Sequence, residues 1–183
     1  MLADQPSPAL VPRMSDAFLN SRGHIGETLK VLLHATAFTQ GTPGKFKDPM
    51  HFVISAVRAA YDDKVVLNTN PVINWLNRMG EGLYNRQTPD GYPQTADEWS
   101  SSGQMAVRFE VAKAIGTHNA GLFKTDDDAN RNEQATFPQL ARASYYQYTN
   151  ALLSEDSRKA LDGTSSPQDW NTLYLSSPEF QYR

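Results

Sequence analysis

Asp48-Pro-Met-His-Phe-Val-Ile-Ser-Ala-Val-Arg-Ala-Ala-Tyr61 carries the signals of an amphipathic helix in one stretch. An acidic residue stands where a helix N-cap accepts backbone N–H groups, and proline follows at the first helical position, where a missing N–H costs little. Phe52, Val53, Ala56, Val57 and Ala60 then recur at intervals of three and four, which lines one face of a helix. Asn70-Pro71 repeats the start signal ahead of Val72 to Met79, where Val72, Trp75, Leu76 and Met79 share a face and Gly80 and Gly82 end the run. Upstream, Ile25, Leu29, Leu32, Leu33 and Phe38 predict a helix over 25–38, closed by Gly41-Thr-Pro-Gly44.

Downstream, Thr95 is placed to cap a short helix carrying Trp99. Ser100-Ser-Ser-Gly103 opens a helix over 104–115. Its apolar residues Met105, Val107, Phe109, Val111, Ala112 and Ile115 cover more than one side, which predicts a central helix. A polar, acidic loop is expected over 116–136, followed by helices over 137–153, 154–161 and 170–175. Only Lys64-Val-Val-Leu67 hints at a period of two. The predicted fold class is all-α, an irregular multi-helix bundle with long loops, built around Phe52, Trp75, Trp99 and Phe109. Pro6, Pro8 and Pro12 predict a flexible lead-in over 1–13 and a single helical domain over 14–183.

Composition removes several function classes. A chain of 183 residues, 39% of them hydrophobic, is long enough to bury a core. Seventeen Lys and Arg against twenty Asp and Glu leave a net charge of −3 without a basic block, which argues against nucleic acid. No apolar run approaches the roughly 20 residues that span a bilayer. With no cysteine, thiolate metal sites, disulfides and cysteine nucleophiles are excluded. The N-terminus has no basic segment followed by an apolar one, so no secretory signal is read in this chain.

Most chemical motifs fail on inspection. Gly41-Thr-Pro-Gly-Lys45 resembles a phosphate-binding loop, yet Thr39 and Phe46 occupy positions that need glycine and a hydroxyl. Asp126, Asp128 and Asn130 match the start of a calcium loop, but Arg131 replaces its turn glycine and Phe137 its final glutamate. His24, His34, His51 and His118 show no zinc-ligand spacing. No metal and no cofactor are expected, and no serine-hydrolase elbow is present.

The informative segment is Gly80-Glu-Gly-Leu-Tyr-Asn-Arg-Gln-Thr-Pro-Asp-Gly-Tyr-Pro-Gln-Thr-Ala-Asp-Glu-Trp99. Glu81, Asp90, Asp97 and Glu98 are candidate acid and base groups, and Tyr84, Tyr92 and Trp99 candidate stacking residues, the mixture that sugar clefts use. The competing reading makes the aromatic residues loop anchors and the carboxylates helix caps or solvated groups. Arg108, on an otherwise apolar helix, is a further binding candidate that needs a partner, with Glu81, Asp97 or Glu98 expected nearby.

Several pieces together resemble a bacterial family known as domain of unknown function 1800. They are the helix Ile25 to Phe38, the stretch Phe46 to Ala60, Met79-Gly-Glu-Gly-Leu-Tyr84, and Thr88-Pro-Asp-Gly-Tyr-Pro93. Trp99 with the serines and glycine behind it, Met105-Ala-Val-Arg-Phe109 and the closing Leu175-Ser-Ser-Pro-Glu-Phe-Gln-Tyr-Arg183 complete the likeness. The resemblance implies a largely helical protein, commonly exported to the periplasm or beyond, with no established activity. It also implies that this chain corresponds to the C-terminal portion of a longer pattern, and that glutamine often stands at the position of Glu81. Two functions are therefore weighed: a helical structural or ligand-binding module with a carbohydrate or protein partner, and a carbohydrate-active hydrolase. A homodimer through apolar surface that a missing N-terminal part would cover is a third expectation.

Overall fold

The computed structural model describes residues 7–39, 44–62, 64–124 and 137–183. Among them stand ten α-helical segments and no strand beyond an isolated antiparallel bridge between Phe46 and Tyr182, so the fold is all-α. The chain forms two compact units, Met1–Phe46 with Tyr182–Arg183, and Lys47–Gln181.

The first unit contains α1 (Leu10–Asn20), α2 (Ile25–Leu33) and the single turn α3 (Thr36–Thr39). α1 begins at Leu10, inside the stretch expected as a lead-in. Pro12 falls in the first turn, where backbone N–H groups have no intrahelical acceptor, so proline is tolerated there. α1 and α2 pack as an antiparallel hairpin, with Leu10, Leu32 and Ala35 buried and Met14 and Val31 partly so. The continuous helix expected over 25–38 breaks after Leu33. Ala35 N–H donates to Leu32 O at 3.1 Å, a tightened last turn that brings Ala35 into this small core. Of the predicted stripe only Leu32 is buried, whereas Ile25, Leu29, Leu33 and Phe38 are exposed. The Gly41-to-Gly44 turn lies largely outside the described residues. Lys45 and Arg183 exchange backbone hydrogen bonds of 3.2 and 2.9 Å, and the Phe46 and Tyr182 rings meet edge to face.

The second unit holds α4 (Pro49–Tyr61), α5 (Asn70–Arg78), α6 (Ala96–Trp99) and α7 (Ser102–Gly116), followed by α8 (Ser144–Thr149), α9 (Glu155–Asp162) and α10 (Pro167–Ser176). Asp48, Ser101, Ser154 and Ser166 each cap a helix through a side-chain oxygen, as their sequence positions require. Thr95 makes no such bond. α7 packs against α4 and α10. Phe52, Val53 and Ala56 from α4, Trp75, Leu76 and Met79 next to them, and Val111, Ala112 and Ile115 from α7 form the core with Leu175.

Four expectations change here. Phe109 is 45% exposed whereas its neighbour Arg108 is 1% exposed. The buried row of α7 is Arg108, Val111, Ala112 and Ile115, and a residue one step along a helix points about 100° away, which turns Phe109 outward. Trp99 is buried but outside the main core, its indole N–H donating to Pro93 O at 3.0 Å. The helix expected over 137–153 is divided into a 3-10 turn at Leu140–Arg142, then α8, then a second 3-10 turn at Asn150–Leu152. Ala143 takes extended angles between the first two, so the ladder has to restart at Ser144. Lys64 to Leu67 forms no strand: Leu67 and Asn68 N–H both donate to Leu122 O at 2.9 Å.

The α7–α10 contact is close enough to need glycine. A Cβ on Gly116 would stand 3.0 Å from Asn171 Cβ and 3.1 Å from Thr172 N, while one on Gly103 would meet open space. Gly116→Ala is expected to lose about 1–3 kcal/mol of unfolding free energy by overpacking. Gly103→Ala should gain up to about 1 kcal/mol by restricting the unfolded chain. Urea denaturation of the two variants beside the parent checks both signs.

Candidate functional site

The start of α4 gathers charge. Asp48 accepts from His51 N–H at 2.8 Å, and the His51 ring nitrogen Nδ1 lies 2.7 Å from both carboxylate oxygens. Pro49 has no N–H to satisfy, and the next donor, Met50 N–H, goes to Glu81 Oε2 at 2.7 Å. Two carboxylates thus occupy the positive end of one helix. Glu81 is buried, and burial raises its pKa above the usual glutamate range. Met50 N–H opposes that rise, Asp48 adds to it, and His51 and Arg108 pull against it.

Arg108 completes this cluster. Its Nη2 donates to Lys47 O at 2.7 Å and its Nη1 to Gln181 Oε1 at 3.0 Å, with the guanidinium carbon 4.9 Å from the centre of the Phe52 ring. Burial draws its pKa down to about 10, against Asp48 and Glu81, so it remains a cation at neutral pH. Gln181 is held in turn by Leu175 O and Ser177 O at 3.2 and 3.4 Å. The Lys47 ammonium lies 3.7 Å from the centre of the Phe180 ring. Glu81, one of the three carboxyls expected near Arg108, acts on it through charge. The two hydrogen bonds of Arg108 above go to a carbonyl and an amide, and Asp97 and Glu98 are exposed on α6.

The loop after Glu81 is braced at several points. A Cβ on Gly82 would meet the Asn77 side-chain oxygen, which would have to turn away, and would stand 3.2 Å from Asn85 Cβ. Tyr92 donates its hydroxyl to Gly82 O at 2.7 Å, which ties the far side of the loop to its base. Asp90 accepts from the Thr88 hydroxyl and from Arg86, whose Nη2 is 3.2 Å away, and these two contacts hold its carboxyl below the usual range. Arg86 also lies over the Tyr92 ring at 5.8 Å. Asn85 N–H donates back to Gly82 O at 3.2 Å and closes a tight turn. At its third position Tyr84 has φ 55° and a fully exposed side chain, with the half-exposed Leu83 before it.

Of the candidate groups, Glu81 and Arg108 share the buried cluster. Asp90 and Tyr92 belong to the exposed loop with Tyr84, Trp99 anchors the loop's return, and Asp97 and Glu98 face solvent. The charges acting on Glu81 come from Asp48, His51 and Arg108 rather than from the other three candidate carboxyls. Sequence reading missed His51, Lys47 and Gln181. The Asp48 to His51 spacing of three, N-cap to third helical position, was a usable signal for the first. Gln181 lies far along the chain and left none. Among the described residues no group of three or more His, Cys, Asp or Glu could hold a metal ion, and the Asp126 to Phe137 loop falls almost wholly outside them. No helix among the described residues is long and apolar enough to cross a membrane.

Met50 N–H has one acceptor, so Glu81→Ala should cost about 1–3 kcal/mol, while Glu81→Gln keeps an oxygen in place and is near neutral or stabilising. A raised carboxyl pKa means that the folded chain holds this proton to higher pH than the unfolded chain. Unfolding free energy contributed by Glu81 therefore falls as pH rises from the ordinary glutamate range through the folded pKa. Denaturation of parent and Glu81→Gln from acid to neutral pH checks this, and an unchanged slope in the variant would count against it.

The family model for proteins of unknown function DUF1800 matches residues 1–182, and the chain belongs to that family. Neither the curated proteins nor the solved structures contain a match to it.

Proposed function

We propose that this member of the DUF1800 family is a helical binding module whose recognition element is the loop from Leu83 to Tyr92. The observation that carries the reading is Tyr84, fully exposed at the tip of a braced turn and with positive φ. A bulky side chain in that backbone region costs on the order of 1–2 kcal/mol where glycine would cost nothing. Burial does not repay this, because the ring touches solvent alone. A held backbone that presents an accessible aromatic ring lowers the entropic cost at which a partner can recognise it.

The ligand class that fits best is a saccharide. The open phenol face is suited to stacking on a sugar ring, and Asn85, Gln87 and the Arg86–Asp90 pair supply hydrogen-bonding groups beside it. Glu81 favours a second reading, a carbohydrate-active hydrolase, because a buried carboxyl that holds its proton above the usual range is suited to general acid work. Asp90, Asp97 and Glu98 would then compete for the role of partner carboxylate.

A glycan array probed with the parent and with Tyr84→Gly separates these readings. Binding is expected to drop by at least about tenfold in the variant, the scale of losing one stacked ring, while its thermal midpoint holds or rises. Hydrolysis of chromogenic glycosides that disappears in Glu81→Gln or Glu98→Gln, with helicity intact, would overturn the module in favour of the hydrolase.

A further inference from the structure

The α1–α2 hairpin has far more apolar surface outside than inside. Three residues of this unit form its buried apolar cluster, Leu10, Leu32 and Ala35, whereas Val11, Phe18, Ile25, Leu29 and Leu33 are each 41–68% exposed. These five fall on two lines, with the exposed Leu19 of α1 standing off them. On α1, Val11 stands one step after the buried Leu10, and Phe18 follows seven residues later on the same line. On α2, Leu33 stands one step after the buried Leu32, and Leu29 and Ile25 precede it at intervals of four. One step turns the side chain by about 100° in the same rotational sense along each chain. Since the two helices run antiparallel, equal sense along the chain places both exposed rows on one side of the hairpin. The nearest charged pair on α2, Glu27 and Lys30 at 2.7 Å, lies off this row.

We infer that this face binds a second copy of the chain. The row Ile25, Leu29, Leu33 is symmetric about Leu29. A two-fold axis passing Leu29 sets Ile25 of one copy against Leu33 of the other and Leu29 against itself, which is the self-complementarity an isologous contact requires. Two hairpins joined in this way form a four-helix bundle, the usual closure for an amphipathic helix pair. The five side chains expose roughly 450 Å² per copy, at about 180 Å² for a large apolar residue. Two copies then cover about 900 Å² of apolar surface, or roughly 1,400 Å² in all at the apolar fraction of homodimer interfaces. That total lies in the range of specific interfaces, about 1,200–2,000 Å².

Sedimentation equilibrium of the full chain, from low micromolar to several hundred micromolar, is expected to show a monomer passing to a dimer. Leu29→Glu sets two carboxylates against each other at the axis and should weaken association by at least about a hundredfold with the circular dichroism spectrum unchanged. Because the chain has no cysteine, Leu29→Cys provides an independent reading. With oxidised glutathione added as the two-electron oxidant, its two thiols, brought together at the axis, should form a disulfide-linked dimer that the parent cannot form. A mass that stays monomeric throughout, a dimer untouched by Leu29→Glu, or a Leu29→Cys chain that fails to cross-link at concentrations where the parent is dimeric would each overturn the assignment.

Discussion

A guanidinium removed from water has to be solvated by the protein, and Arg108 meets that demand by joining three segments that are distant in sequence. The carbonyl of Lys47 stands at the entrance to α4, Gln181 closes the unit's C-terminal end, and Phe52 lies in the core of α4. An uncompensated buried charge costs several kcal/mol. Each hydrogen bond to a charged group returns about 1.5–3 kcal/mol. The three segments are therefore stable together or not at all. Lys47 N–H donating to Gln181 O at 2.7 Å, and the Lys47 ammonium over Phe180, reinforce the same junction.

Glu81 links that junction to the exposed loop. Its carboxylate is seated on Met50 N–H, and the following Gly82 is hemmed in by Asn77 and held by the Tyr92 hydroxyl. The loop thus leaves a rigid base within two residues of the buried cluster. Leu83 and Tyr84 take no part in the core, and the backbone holds both outward. The desolvation that raises Glu81 outweighs its cationic neighbours, as expected where one carboxyl is buried and a second one, Asp48, is close by.

The two units differ in how they use apolar residues. In Lys47–Gln181 the long apolar side chains of α4 and α5 close over α7 and α10, so that Phe52, Val53, Val111 and Leu175 are wholly buried. In the first unit two short helices cannot enclose their own apolar faces, because a helix pair has only one seam to hide them in. The same periodicity that reads as core in one unit is therefore surface in the other.

Local signals in the sequence determined where most helices begin and what class of fold results. Asp48-Pro49 marks a start through capping and backbone restriction, and Asn70-Pro71 through backbone restriction without a side-chain cap, short-range effects that need no tertiary partner, whereas the last helix begins at Pro167, three residues before its expected start. The apolar stripes of α4 and α5 were equally legible, because both helices are buried on one side only. Burial on α7 was not, since Phe109 and Arg108 exchange the places their hydropathy predicts. Gln181 and Lys47 O lie 73 and 61 residues from Arg108 along the chain, and no local pattern records that they meet. For the same reason the sequence could not choose between Glu81 and Glu98 as the acid, or between Asp90 and Asp97 as its partner. Only packing distinguished Glu81, by removing it from water beside a helix terminus, and left Asp90, Asp97 and Glu98 outside.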